Sequence, residues 1–245
     1  MSGARSGFVV ALPSEARTLC RRAARVGECF AVGEHALVAV SGMGERHAEK
    51  AAQTLVDAGA HGLVSWGCAA GLSPELDPGA LCLPQFVIAT DGQLWPTDAA
   101  WRSCVVEALG QRVVSSAMLV HAAQMLASVA AKRELAAHCG AAVADMESAA
   151  IARVAHRQGL PLLVVRSVVD PAGLTLPTFI TEHVDDSGHV PMAPLLRGLL
   201  RQPRDLLTLL RLASGLRAAL ASLRAVAACT GGDLLLERAL TRRSA

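Results

Sequence analysis

The sequence lacks the cysteine spacing of a metal site or a disulfide scaffold. Its seven cysteines include no C-x-x-C pair. Six of them stand among mostly apolar neighbours: Cys20, Cys29, Cys82, Cys104, Cys139 and Cys229. The odd number of cysteines argues against a disulfide framework, and the lack of C-x-x-C spacing argues against zinc ligation. We therefore expect no metal ion, and thiols that are reduced and mostly buried.

A strong excess of one charge and a long N-terminal apolar run are also missing. The chain has 23 Lys and Arg against 21 Asp and Glu, a net charge of +2. Apart from an Arg-rich C-terminal stretch, the positive charge is spread along the chain, which argues against a nucleic-acid partner. The first apolar segment, Phe8–Leu12, is too short for a signal-peptide core or a membrane span. We expect a cytoplasmic protein.

The 245 residues, 52% of them hydrophobic, instead alternate short apolar runs with Ala-rich stretches. The apolar runs have the length of strands buried on both faces: Phe8–Leu12, Ala36–Val40, Gly62–Trp66, Ala80–Pro84 and Leu162–Val169. Helices are predicted over Glu45–Ala58, Ala122–His138 and Met146–Gln158. The order strand, helix, strand predicts an α/β architecture with a largely parallel sheet, in one domain over residues 1–245.

The segments that leave the predicted strands are candidate ligand sites, because open α/β sheets bind ligands beyond the carboxyl ends of their strands. Glu15 follows the first strand, and either a helix dipole or a reacting oxygen would suit its carboxylate. Gly42 and Gly44 follow the second strand and permit backbone amides to approach an anion, although turns alone also use glycine. The small residues of Gly67–Leu72 permit either a ligand or a close helix contact.

Two further segments carry carboxylates in apolar surroundings. Asp145, Glu147 and Ser148 open a small, apolar helix, where a carboxylate is expected to have a function. Arg166-Ser167-Val168-Val169-Asp170 ends a predicted strand with an acid directly before Pro171. Taken by itself, Asp170 is better explained as a turn residue before proline than as a functional acid.

Taken in order, these segments resemble the nucleoside phosphorylase and nucleosidase superfamily, which includes the methylthioadenosine/adenosylhomocysteine nucleosidases, over roughly residues 8–170. Within it, Asp170-Pro171-Ala172, Leu176-Pro177, the Asp185–Gly188 segment and the Leu/Arg-rich end are most similar to the hopanoid-associated phosphorylase branch. The resemblance implies a three-layer α/β/α domain with a mixed, largely parallel central sheet. It also implies an enzyme that cleaves the N-glycosidic bond of a purine nucleoside, adenosylhopane in that branch, without a cofactor.

The resemblance also implies roles for individual residues. Glu147 matches the glutamate that binds the ribose hydroxyls, Met146 the methionine that packs on the sugar, and Asp170 the acid that protonates the purine at N7. Glu15 lies near the glutamate that activates water in nucleosidases. Met125 and Leu126 fall where family members line the adenine pocket. Breaking the bond puts positive charge on the sugar and negative charge on the base, so an acid at the base and acceptors around the sugar suit this chemistry.

The sequence leaves both phosphate and water open as the nucleophile. A phosphorylase needs a cradle for inorganic phosphate as co-substrate, for which Gly42, Gly44, Gly67, the Cys68 amide and Arg46 are candidates, as are Arg17 or an arginine of a second subunit. Cys68 replaces the serine or threonine common in the family, which leaves backbone amides to bind the anion or water. A nucleosidase for methylthioadenosine, adenosylhomocysteine or futalosine remains an alternative, as does a non-catalytic nucleoside- or lipid-binding protein.

The C-terminal stretch at residues 192–228 interleaves leucines with arginines and is interrupted at Pro203. This pattern predicts one or two basic amphipathic helices, which either pack over the sheet or contact a membrane surface peripherally. Members of the superfamily commonly assemble into dimers or larger oligomers, so we expect a homo-oligomer.

Overall fold

The computed structural model describes residues 3–110, 113–114, 118–185, 188, 191 and 200–243. The strands in these segments are β1 Ser6–Val10, β2 Cys29–Val32, β3 Ala36–Val40, β4 Gly62–Gly71, β5 Leu81–Cys82, β6 Phe86–Ile88, β7 Leu94–Pro96, β8 Val113–Val114, β9 Met118–His121, β10 Val143–Asp145 and β11 Leu162–Asp170. The helices are α1 Pro13–Leu19, α2 Glu45–Asp57, α3 Ala99–Leu109, α4 Val129–Cys139, α5 Ser148–Arg157, α6 Thr178–His183, α7 Asp205–Thr230 and α8 Leu236–Arg243.

The strands form one mixed, largely parallel sheet. Along its main path the order is β2-β3-β1-β4-β10-β9-β6-β7, while β11 pairs with β4 and β5, and β5 also pairs with β8. Strands β1, β3, β4 and β11 run parallel to their neighbours in this set, and antiparallel pairs include β2 with β3 and β10 with β4. The predicted mixed, largely parallel sheet is confirmed.

Helices cover both faces of this sheet and make three layers. Alternate residues of a strand point to opposite faces, so Val9 packs with α2 and α5, whereas Phe8 and Val10 pack with α1, α3, α7 and α8. The same alternation divides Leu63 from Val64 on β4. Because these strands are buried on both faces of the sheet, their sequences are continuous apolar runs. The predicted three-layer α/β/α architecture is confirmed.

Helix α7 packs against β11, the strand that ends at Asp170. A Cβ atom at Gly215 would lie 2.2 Å from the carbonyl oxygen of Val169, so a glycine is required for this close approach. Ala219, Leu223 and Val226 are buried on the same helix. By length and mean hydropathy alone α7 could cross a membrane, but its buried face belongs to the core of this domain.

Several predicted element bounds were wrong. Strand β4 continues through the small residues to Gly71, since these pair with β11 and β10. Of the predicted strand Ala80–Pro84, only Leu81 and Cys82 lie in a strand, β5. Ala122–Ser128 is not helical: α4 starts after Ser128, whose hydroxyl accepts a hydrogen bond from the Ala131 amide at 3.1 Å. Met146 and Glu147 precede α5 and do not form its first turn.

The C-terminal half of the chain also differs in detail from expectation. The irregular stretch after Pro171 contains the short helix α6. Residues 192–199 of the predicted amphipathic region lie outside the described residues, and the rest is dominated by the single helix α7, which begins after Pro203. Cys29 and Cys229 are exposed, unlike the buried Cys82 and Cys104, because each lies on the outer side of its element.

Candidate active site

A pocket of about 250 Å³ opens at the carboxyl ends of β1, β10 and β11, against Cys68, Ala69 and Ala70 inside β4. Its lining includes seven of the residues that the sequence singled out: Glu15, Cys68, Met125, Leu126, Met146, Glu147 and Asp170. Residues far apart in the chain meet here because these strand ends converge at one edge of the sheet. The structure therefore brings these residues to one pocket, and their roles in it stay predictions.

Glu15 is held in the pocket by backbone amides. Its Oε2 accepts hydrogen bonds from the amides of Ala11 and Leu12 at 3.0 and 2.9 Å, and its Oε1 accepts from the Cys68 amide at 2.8 Å. The side chain is 2% exposed. Burial raises the pKa of Glu15 above its ordinary value, against the charge of Arg166 and these amide hydrogen bonds. A rigid, buried carboxylate with a raised pKa is suited to act as a base.

Glu147 lies across the pocket on the turn between β10 and α5. Its Oε1 accepts a hydrogen bond from the Gly44 amide at 2.8 Å, and its Oε2 from the Met146 amide at 3.3 Å. Burial and the neighbouring Asp145 raise the pKa of Glu147 to about 7, against the charge of Arg166. Met146 is half-buried beside it, and the two residues together line one wall of the pocket.

Arg166 is a buried cation whose charge opposes the increase in the pKa of both glutamates. Its guanidinium is 2.5 Å from Asp145 Oδ2 and donates to the hydroxyls of Ser65 at 2.7 Å and Ser148 at 3.2 Å. Burial lowers the pKa of Arg166, but Asp145, Glu147 and Glu15 more than offset this and keep the side chain charged. The guanidinium is thus a fixed positive charge committed to Asp145.

Asp170 ends β11 and lies beside a second buried cation. The ammonium of Lys132, on α4, is 2.7 Å from Asp170 Oδ2. Burial raises the pKa of Asp170, and the charge of Lys132 opposes the increase. The raised pKa favours the protonated form that a general acid needs.

The predicted anion cradle is not formed by the residues proposed for it. The Cys68 amide donates to Glu15, the Gly44 amide to Glu147, and the Gly42 amide to the Ala11 carbonyl at 3.0 Å. Arg46 is exposed and lies outside the pocket lining. The Cys68 and Gly44 amides therefore hold carboxylates in place, while the Gly42 amide is bonded to a backbone carbonyl.

Gly67 has a packing function in place of the predicted anion contact. A Cβ atom at Gly67 would lie 2.5 Å from Glu15 Oε1 and 2.6 Å from Arg166 Nη1. Its lack of a side chain lets both the glutamate and the arginine lie close to the backbone of β4. Next to it, burial and the Glu15 charge raise the pKa of the Cys68 thiol well above its usual range, so the thiol stays neutral.

Two buried cations next to the pocket, Arg166 and Lys132, were not assigned a role from the sequence. Arg166 stands inside an apolar strand run, where a charged residue signals a buried partner. Lys132 is one of two lysines in the chain, and it lies in the Ala-rich stretch of α4. The other, Lys50, is exposed. A charge in an otherwise apolar element was the available signal in both cases.

Fold and site together define an enzyme of the nucleoside phosphorylase and nucleosidase type. The chain belongs to the Phosphorylase superfamily, whose family model matches residues 5–190. The predicted superfamily and the prediction of an enzyme are thereby confirmed. No curated protein sequence matches the chain.

Solved structures of distant relatives share the fold. Futalosine hydrolase of Helicobacter pylori aligns with a TM-score of 0.68 at 15% identity, over 92% of this chain and 96% of that one. The 5′-methylthioadenosine/S-adenosylhomocysteine nucleosidase from Neisseria meningitidis, in complex with methylthio-immucillin-A, aligns with a TM-score of 0.68 at 17% identity, over 94% and 98%. The corresponding nucleosidase of Helicobacter pylori gives 0.63 at 17%, over 82% and 100%.

Substrate capture is expected to depend on the ionisation of Glu147. A carboxylate can accept hydrogen bonds from two ribose hydroxyls, whereas the protonated form cannot accept both. With a pKa of about 7, the ionised fraction of the free enzyme declines below that pH, and kcat/KM should then fall by up to about tenfold per pH unit. Glu15, as the expected base, should add to the same acid limb.

The measurement is kcat/KM against pH for the wild type and for Glu147→Gln. The variant should have low activity and should lose the component of the limb near pH 7. A wild-type kcat/KM that stays flat from about pH 5.5 to about pH 7.5 would contradict the assignment of Glu147.

Proposed function

We propose that this protein is a nucleosidase that hydrolyses the N-glycosidic bond of a purine nucleoside. The observation that carries the proposal is the position of Glu15, a buried carboxylate held by three amides in the pocket. Its raised pKa makes it a suitable base for an attacking water. Of the amides suggested for a phosphate co-substrate, those of Cys68 and Gly44 are bonded to carboxylates and that of Gly42 to a backbone carbonyl.

The charge of the pocket supports water over phosphate as the nucleophile. Glu15, Glu147 and Asp170 line it, and no arginine or lysine does so among the residues that the structure describes. The nearby cations Arg166 and Lys132 are paired with Asp145 and Asp170. A phosphate dianion would therefore meet carboxylates without a free cation, which electrostatic repulsion disfavours.

The proposed reaction assigns one task to each acid. Glu15 takes a proton from water as the water oxygen bonds to C1′. The C1′–N9 bond breaks with its electron pair on the purine, and Asp170 delivers a proton to N7. Glu147 accepts hydrogen bonds from the ribose hydroxyls, and these strengthen as positive charge develops on the sugar. The products are the free base and a sugar with a hydroxyl group at C1′.

The apolar wall of the pocket supports a nucleoside with a large apolar 5′ substituent. Leu12, Leu176, Ile180 and Leu212 are half-buried lining residues, contributed by the β1 to α1 turn, the segment around α6, and α7. Met125 and Leu126 line the same pocket and are proposed to contact adenine. Adenosylhopane, the substrate implied by the resemblance to the hopanoid-associated branch, has such a substituent, and release of adenine from it is the specific activity we propose.

A substrate panel tests this assignment. Base release is measured without phosphate from adenosylhopane, methylthioadenosine, adenosylhomocysteine and futalosine, with Asp170→Asn as the control. The proposal expects the highest kcat/KM for adenosylhopane. A preference for methylthioadenosine or futalosine would assign the activity named for the distant relatives, and base release from none of them would contradict a nucleosidase for this class of substrate.

A lipid-linked substrate would need access from a membrane, and α7 offers a surface for it. Near the start of this helix Leu206, Leu207 and Leu210 are 50%, 64% and 58% exposed. Exposed Arg204 and Arg211 flank these leucines, and Leu212 of the same segment lines the pocket. Apolar side chains between arginines are typical of helices that bind anionic lipid surfaces. We propose a cytoplasmic enzyme with peripheral contact at this face.

Flotation with vesicles of phosphatidylglycerol and phosphatidylcholine tests the contact. The triple variant Leu206→Ser, Leu207→Ser, Leu210→Ser should lose most vesicle binding. The matched control is Leu94→Ser, which changes a leucine that is 54% exposed on β7. Equal flotation of wild type and triple variant would refute membrane contact. A homo-oligomer remains our prediction, and a change of sedimentation in the triple variant alone would assign this face to subunit contact.

A further inference from the structure

Lys132 is a lysine without solvent contact, placed directly behind the proposed acid. Its side chain is 0% exposed. The ammonium is 2.7 Å from Asp170 Oδ2, and it donates to the carbonyl oxygens of Pro171 at 2.9 Å and Leu174 at 3.1 Å. Burying an ammonium is costly unless partners replace water, and here three oxygens surround it. All three belong to Asp170 and the turn that follows it.

The surrounding contacts hold this cluster in place. Lys132 lies in the first turn of α4, close to the Ser128 cap. The Leu174 amide donates to the Pro171 carbonyl at 3.0 Å, and the Leu176 amide donates to Ala127 at 2.8 Å, so the turn is tied to itself and to the loop before α4. That loop carries the pocket residues Met125 and Leu126. Lys132 thus joins the wall proposed to contact adenine to the acid proposed to protonate it.

We infer that Lys132 is a positioning residue for base departure, which orients the Asp170 carboxyl and stabilises the carboxylate left after its proton passes to the purine. The proton moves from Asp170 to N7, the electron pair of the C1′–N9 bond moves to the base, and the new Asp170 anion lies against a fixed ammonium. This inference rests on the proposed function, because it requires Asp170 to act as the acid.

Removing the ammonium should weaken Asp170 as an acid. Among the described residues, the charged or titratable groups that influence Asp170 or lie against it are Lys132 from α4 and the Cys68 thiol from β4, which is neutral. Without Lys132 the Asp170 anion loses its stabilising charge, so the basic limb of the kcat profile should move to higher pH. The weaker acid should lower kcat by about 10- to 100-fold, while KM changes by less than about threefold.

The experiment compares Lys132→Met with the wild type and with Lys50→Met, the matched change at the exposed lysine. It includes a double-mutant cycle with Asp170→Asn. If Lys132 acts through Asp170, adding Lys132→Met to Asp170→Asn should change kcat by less than about twofold. An unmoved basic limb, or the same loss of kcat in both backgrounds, would overturn the inference.

The outcomes also separate this inference from the proposed function. If Asp170→Asn retains wild-type kcat, the acid itself is misassigned and both fail. If Asp170→Asn is impaired but Lys132→Met behaves like Lys50→Met, the role of Lys132 alone fails. Should Lys132→Met not fold, Lys132→Gln, which can still donate to the two carbonyls, carries the same test. If neither variant folds, Lys132 has a structural role and the inference is overturned.

Discussion

Replacing Asp170 with asparagine is expected to lower kcat by about 10²- to 10⁴-fold, the usual contribution of a general acid. Asparagine keeps the shape of the side chain and can donate a hydrogen bond to N7, but its amide N–H is far too weak an acid to transfer a proton. The basic limb of the kcat profile should disappear in this variant, since burial raises the pKa of Asp170 and its deprotonation limits the wild type. The measurement is base release under saturating substrate across a range of pH.

Asp77→Asn is the matched control, because Asp77 is an exposed aspartate outside the pocket lining. It should retain wild-type kcat. If Asp170→Asn keeps both its kcat and its basic limb, another group protonates the base. A loss of activity together with a lowered Tm would mean that the substitution destabilises the fold, not that it removes the acid. Thermal unfolding is therefore recorded for both variants.

The second large effect is expected for Glu15→Gln. An amide cannot take the proton of the attacking water, so kcat should fall by about 10²- to 10⁴-fold. The three amides around Glu15 all donate to its oxygens. The Gln amino group would therefore face at least one of these donors, which also weakens the hold on the side chain.

Glu75→Gln controls for this change, as Glu75 is exposed and lies outside the pocket lining. A nucleophile such as azide needs no base, so its effect on Glu15→Gln and on Asp170→Asn separates the role of the base from that of the acid. Azide in excess should restore part of the base release in Glu15→Gln, but not in Asp170→Asn. Wild-type hydrolysis by Glu15→Gln would mean that water is activated elsewhere.

The strands that build the site were predictable because they are buried on both faces. The apolar run at Ala36–Val40 matches β3, and the run at Leu162–Val169 is one residue short of β11. The extension of β4 through Cys68 to Gly71 was missed because small residues have weak strand preference, and here pairing with β11 and β10 decides the conformation. The alanines before Ser128 suggested helix, but their backbone is used in loop contacts that build the pocket wall.

The carboxylates of the site could be identified from sequence, but their supporting charges could not. Glu15 and Asp170 follow predicted strands and Glu147 lies in the first turn of a predicted helix, and the family resemblance, not position alone, singled them out. What lies behind them depends on residues brought from other elements, such as Lys132 of α4 behind Asp170, and no spacing along the chain encodes that contact. The use of the Gly44 and Cys68 amides by the glutamates is likewise a consequence of tertiary packing.

We propose that water, not phosphate, attacks the sugar, and the sugar product of the reaction distinguishes the two nucleophiles. Base release from the preferred nucleoside is followed with and without excess inorganic phosphate, and the sugar product is identified by ³¹P NMR. We predict the same rate in both conditions and a sugar without phosphate. Base release that requires phosphate and yields an equimolar sugar 1-phosphate would contradict the assignment of Glu15 and make the protein a phosphorylase.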